Sequence, residues 1–238
     1  MNINSGTFRI VYEDARFAFA QLLILYITIP ILLVWLTVGY FFNLGEEVIA
    51  AISGPTYFFI MLFAVNSFKT IFPVAIGMGS TRTNLLKTFY AIGLASVLVV
   101  TFILNVFQWI LLTFYERWNV AAHILHPGTF LHREYTFLSY FLMDFMVGIF
   151  LFSFAFLFYA IYHRLGLKRS VIWMTVLIIV STLLQYSGLI NFSFWKWVVA
   201  QDLSDSAIFF FVVTISLIAL LITYPIMRNA PLAVRSKK

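Results

Sequence analysis

Cysteine is absent from the 238 residues, which excludes a disulfide, an iron–sulfur site and a thiol nucleophile and leaves the compartment open. Charge is scarce: only 10% of residues are Asp, Glu, Lys or Arg, while 63% are hydrophobic. No internal repeat and no low-complexity run interrupts the chain, and no connection or tail is long enough for a separate folded domain. With a mean hydropathy of +0.99, the chain carries more apolar surface than a water-soluble domain hides, so its solvent is mostly lipid.

Six long apolar stretches are present, and Asp144 is the single ionisable residue inside them. They are Phe17–Phe42, Val48–Phe68, Phe89–Phe114, Phe137–Tyr162, Val171–Ile190 and Ala207–Ile226, each of 20 residues or more. At about 1.5 Å per helical residue, each crosses a hydrocarbon layer of about 30 Å. Backbone in lipid must bond to itself, so the spans are helices. The sequence therefore predicts an all-α membrane protein with six transmembrane helices over residues 17–226. A cytoplasmic segment at 1–16 precedes them and a basic tail at 227–238 follows.

The net charge of +6 reports topology rather than nucleic-acid binding. Twelve Lys and Arg fall in the two tails and the even-numbered connections: Arg9, Arg16, Lys69, Arg82, Lys87, Arg164, Lys168, Arg169, Arg228, Arg235, Lys237 and Lys238. The alternate connections hold Arg117, Arg133 and Lys196. Short basic connections stay in the cytoplasm, which places both termini inside. The positive side then meets anionic lipid headgroups. Residues 1–16 are polar and the first apolar run is too long for a signal-peptide core, so a cleavable signal is not expected.

Local signals mark the ends of elements. Thr7–Phe17 mixes apolar and charged residues as an amphipathic helix on the inner leaflet does, or stays a solvated tail. Pro30 predicts a kink in the first crossing. Ser53-Gly54-Pro55 resembles a helix start, which moves the second crossing to about Pro55. The inner connection reads as a short apolar helix from Pro73 to about Met78, ended by Gly79, with Ser80 or Thr81 capping the third crossing. Outside, Asn191–Ser206 is too apolar for a free loop and too short to span, which predicts a re-entrant or interfacial helix.

This pattern resembles the ABC-2 type permease subunits of ATP-driven exporters. The segment Phe72-Pro73-Val74-Ala75-Ile76-Gly77-Met78-Gly79-Ser80-Thr81-Arg82 is similar to the phenylalanine–proline start and glycine–x–threonine–arginine end found in small permeases of Gram-positive bacteria. The resemblance implies a coupling helix over Pro73–Gly79 that docks on a nucleotide-binding subunit through Pro73, Ile76, Met78 and Gly79, with Arg82 beside it. It further implies a second permease subunit, identical or not, and a location in the cell membrane. The chain has no G-x-x-x-x-G-K-[ST] phosphate loop, so ATP hydrolysis is expected on a partner chain, with no cofactor here. The alternative for the inner connection is contact with membrane lipid alone. The many aromatic residues suit lipid contact, loose packing and an amphipathic or lipid-like cargo, and the resemblance implies a peptide-like one.

Three groups of residues invite chemistry. Asp144 in the fourth crossing is a point on a translocation path or a subunit interface, or a structural acid. Asn105 and Gln108, three apart on one face of the third crossing, are its expected partners. His123, His126 and His132 share an outer connection that Pro127-Gly128 breaks, which makes them weak metal candidates and leaves no metal assigned. An intramembrane protease is the rival class. Glu46-Glu47 is similar to such an enzyme's acidic pair, but Ala51 stands where an arginine belongs, and the predicted spans hold no histidine. An immunity or scaffold protein that binds a partner without transport is the remaining reading.

Overall fold

Side chains recurring every fourth residue set the first helix. Thr7, Val11, Ala15, Phe19 and Leu23 are all buried on one stripe. A strict repeat of four drifts around a 3.6-residue helix, and a wider winding keeps it on one side. In the computed structural model, which describes residues 3–42, 44–45, 48–127, 135–187 and 205–232, α1 (Ile3–Ala15) passes into a π-wound stretch, Arg16–Thr28, and then α2 (Ile29–Phe42). At Pro30, where the sequence predicts a bend, the winding has just returned from π to α. Proline has no N–H to give, and the last wide bond runs from the Ile29 N–H to the Ile24 carbonyl. The amphipathic start is therefore continuous with the first crossing. The 38-residue run Ser5–Phe42 is about 57 Å long, nearly twice the hydrocarbon thickness.

The second crossing begins at α3 (Ser53–Leu62), turns through a short π-wound stretch (Phe63–Ser67) and continues as α4 (Phe68–Gly77). Val48–Ile52, expected inside this helix, is instead extended around a two-residue strand, β1 (Ile49–Ala50). Pro73 lies inside α4 rather than starting a helix. The expected short helix from Pro73 is thus the end of the second crossing. Proline deprives the Lys69 carbonyl of its helical donor at a point where Lys69 and Thr70 are exposed. Phe68, Ile71, Phe72 and Ala75 meanwhile hold the buried face. The end falls where the sequence places it. Gly79 has φ +89°, its N–H donates to the Ile76 carbonyl, and the Ser80 N–H donates to the Ala75 carbonyl, each at 3.0 Å. This is a Schellman stop, which favours glycine at the left-handed position. Thr81 then caps α5 (Arg82–Arg117), its Oγ1 accepting the Asn84 N–H at 3.2 Å.

The chain continues as β2 (His123–Ile124), α6 (Phe137–Leu165), α7 (Leu167–Tyr186) and α8 (Asp205–Arg228). Among the described residues, six helical runs are long and apolar enough to cross a membrane. The chain is a multi-pass membrane protein. The expected re-entrant segment lies outside the described residues apart from its last two, which open α8.

The core is aromatic. Phe63, Phe68, Phe89, Phe152 and Phe156 are fully or almost fully buried and interlock with ring centroids 4.9–6.4 Å apart, both stacked and edge-on. A Cβ on Gly93 would lie 2.3 Å from the Phe152 ring, so α5 and α6 meet ring against backbone. By contrast, α7 is apolar and exposed along nearly its whole length, with Ser170 its one buried residue.

Two ends of the bundle are chemically distinct. At one, which we call the basic end, Thr7 Oγ1 donates to Ser80 Oγ at 2.8 Å and Arg82 Nη1 donates to the Arg228 carbonyl at 3.5 Å. At the other, β1 and β2 pair in parallel, Ile49 with His123 and Ala50 with Ile124. The Ala121, His123 and Leu125 N–H groups donate to the Leu44, Val48 and Ala50 carbonyls at 2.9–3.2 Å. This clasp joins the connection after the first crossing to the one after the third.

Candidate functional site

The alternation of a strand selects which histidine enters the bundle. Ala122, Ile124 and His126 are buried, while His123 and Leu125 are exposed, as a period of two requires. The clasp lays Ala50, Ile52, Ala122 and Ile124 against Leu104, Leu111 and Tyr115 of α5. His126, at the end of the clasp, is thereby carried onto Asp144.

Both groups are 0% exposed, with His126 Nε2 2.9 Å from Asp144 Oδ1. The Tyr57 hydroxyl of α3 donates to the same oxygen. Asp144 Oδ2 is buried and bonds to none of the described residues. The Tyr140 ring lies flat on the imidazole, centroids 3.8 Å apart and 4° from parallel, and Tyr135 meets Tyr140 edge-on at 4.7 Å. The Tyr135 hydroxyl is pushed up to about 12, first by burial and then by neighbouring Tyr140, Asp144 and Glu116. Ser53 Oγ donates to the Leu125 carbonyl at 3.3 Å, a second tie between α3 and the loop that carries His126. The arrangement holds one acid between a phenol and an imidazole. It fastens the clasp into the membrane-spanning bundle.

The partners expected for Asp144 sit elsewhere. The Asn105 amide, in the orientation that satisfies both its atoms, donates to the Phe137 carbonyl at 3.2 Å and accepts the Phe141 N–H at 2.7 Å. It thus bridges the Phe137 carbonyl and the Phe141 N–H, two backbone groups one turn apart at the start of α6. Gln108 is 0% exposed with neither amide atom bonded to a described residue. Tyr57 and His126 were not expected as partners. Burial alternates along Ile49–Ile52 and Ala122–His126 but polarity does not, so no sequence signal identifies either of them. Of the three candidate metal ligands, His123 and His126 point to opposite faces of the clasp, and His132 lies outside the described residues, as do Glu46 and Glu47. No three His, Asp or Glu side chains converge among the described residues.

At the basic end, the tip of α4 is an exposed ledge. Pro73, Val74, Gly77, Met78 and Gly79 are exposed and Ile76 is half-buried, with Val74 52% and Met78 53% accessible although both are apolar. Lys69 flanks the ledge and is exposed. Arg82 turns from it toward the end of α8. The Thr7–Ser80 bond braces the ledge against α1. No protein family, curated protein or solved structure matches this chain.

Proposed function

We propose that the chain is the permease subunit of an ATP-binding cassette exporter in the cell membrane. Its basic end faces the cytoplasm, and it works beside a second permease subunit and separate ATPase subunits. The observation that carries this reading is the helical run Ser53–Gly77. One end of that run is the exposed apolar ledge. The other holds Tyr57, which bonds to Asp144 under the clasp. A push at the ledge therefore has a continuous helical run through which to reach the opposite end of the bundle. The chain carries no phosphate loop, so the push comes from a partner that hydrolyses ATP. Exposed Val74 and Met78 suit an apolar pocket on that partner, and this reading assigns Asp144 to the outer end of the path. The cargo class is amphipathic or peptide-like.

The test is purification in mild detergent followed by an ATPase assay. Recovery of an ATP-hydrolysing subunit with wild type, lost with Val74→Asp or Met78→Asp, supports the exporter. Both positions are exposed, so neither change disturbs the core. Stable recovery with no ATPase, together with protection of cells from a peptide toxin in the absence of ATP-driven efflux, favours the immunity or scaffold alternative. Reporter tags at the termini that are reached from outside the cell would sink the proposed orientation.

A further inference from the structure

Three helix ends meet at the basic end, and each brings an arginine. Arg82 opens α5, Arg164 stands next to last in α6, and Arg228 closes α8. A cavity of about 450 Å³ lies between them, lined by Arg82, Arg164, Asn229, Ala230 and Pro231. Its wall is fixed by the chain itself. His163 Nε2 donates to the Pro231 carbonyl at 2.7 Å, and His163 Nδ1 is 3.3 Å from the Tyr159 hydroxyl. Ala230 is buried, and its N–H donates to the Met227 carbonyl at 3.2 Å.

The cavity has cationic walls, and among the described residues no acidic side chain lines it. Among the described residues the ion pairs are Arg16 with Glu13 and His126 with Asp144, so neither Arg82 nor Arg164 has a carboxylate partner there. Arg82 uses one donor on the Arg228 carbonyl, and a guanidinium has five, in a planar fork that matches the oxygens of a phosphate. Depth indicates the source. The 29 residues of α6 are about 43 Å long, close to the roughly 40–45 Å of a bilayer with its headgroups. Arg164 thus sits at headgroup level. We propose that this cavity binds a phosphate group, that of an anionic phospholipid headgroup, which clamps the ends of α5, α6 and α8 together. The site is independent of the exporter reading.

The full chain in maltoside detergent, examined by native mass spectrometry and thermal unfolding, tests this with three probes: phosphatidylglycerol, diacylglycerol with the same tails, and inorganic phosphate. Phosphatidylglycerol is expected to bind wild type at least tenfold more tightly than Arg82→Gln/Arg164→Gln, and diacylglycerol to bind both alike. Lys168→Gln/Arg169→Gln, on exposed α7 outside the cavity, should behave as wild type. Protection by inorganic phosphate without phosphatidylglycerol binding would support the phosphate site and move its source to solution. Should the double glutamine variant fail to fold, Arg82→Lys/Arg164→Lys keeps the charge and removes the fork, and retention should still fall several-fold. Equal phosphatidylglycerol retention by wild type and either arginine pair variant, or binding of neither phosphate probe to wild type, overturns the proposal.

Discussion

If Asp144 fastens the clasp, its partners must be energetically coupled to it. A thermodynamic cycle of His126→Ala, Asp144→Asn and the double variant measures this. Both groups are fully buried, so removing one leaves the other uncompensated, at a cost of about 3–5 kcal/mol in buried pairs. Lipid reduces that figure, because a chain unfolded within a membrane finds other polar partners. An expected cost of about 2–4 kcal/mol for each single change remains, with a coupling energy of about 1–3 kcal/mol as contacting residues show. The double variant should therefore cost less than the sum of the two single changes by that coupling energy. Tyr57→Phe removes the second donor to the same oxygen and should cost about 1–3 kcal/mol, the range for a buried polar group that loses its partner. Reversible unfolding in mixed micelles, followed by far-UV circular dichroism, reads all four. A cycle that closes additively within about 0.5 kcal/mol, the scatter of independent sites, would refute the coupling. In the exporter reading, Asp144→Asn should also impair export with insertion intact; unchanged transport removes the residue from the mechanism.

Other positions give sharper local outcomes. Gly93→Ala places a methyl 2.3 Å from the fully buried Phe152 ring, and overpacking of that kind should destabilise by about 1–3 kcal/mol. Gly93→Ala/Phe152→Leu should recover part of the loss in the same unfolding assay. The Tyr135 hydroxyl is buried without a partner among the described residues, so Tyr135→Phe should be neutral or stabilising, within about 1 kcal/mol. Its hydroxyl is raised from 10.0 to about 12, so the folded state holds its proton longer than the unfolded chain. Stability contributed by the neutral form is complete below pH 10 and falls between 10 and 12; Tyr135→Phe should flatten that part of the profile. Thr81→Ala removes the cap on Asn84 and should cost about 1 kcal/mol, visible as faster hydrogen exchange in the first turn of α5.

The alternation buried at Ala50, Ile52, Ala122, Ile124 and His126 shows how much remains unread in a one-dimensional pattern. Each stretch is short enough to pass for a connection, and Val48–Ile52 is apolar enough to pass for helix. Only their mutual pairing, across more than seventy residues, makes them strands. Pro73 teaches a similar lesson. Proline alone signals a helix start, but a buried face of Phe68, Ile71, Phe72 and Ala75 carries the helix through it. Gly79 and Thr81 were legible because a left-handed stop and a hydroxyl cap are satisfied within a few residues of themselves. Pro73, Met78 and Gly79 share the exposed tip of α4 with half-buried Ile76, whereas Arg82 is separated from them by its reach to α8.

The amino-acid order by itself determined six membrane-length helices, since burial in lipid depends on the length and apolarity of each segment alone. It determined the local helix stops for the same reason of short range. Tertiary structure alone decided which polar groups meet. Asp144 found Tyr57 and His126, and Asn105 was left to serve α6, because a buried polar group takes whichever partners the packed bundle brings within reach. That choice is set by how helices and clasp register against each other in space.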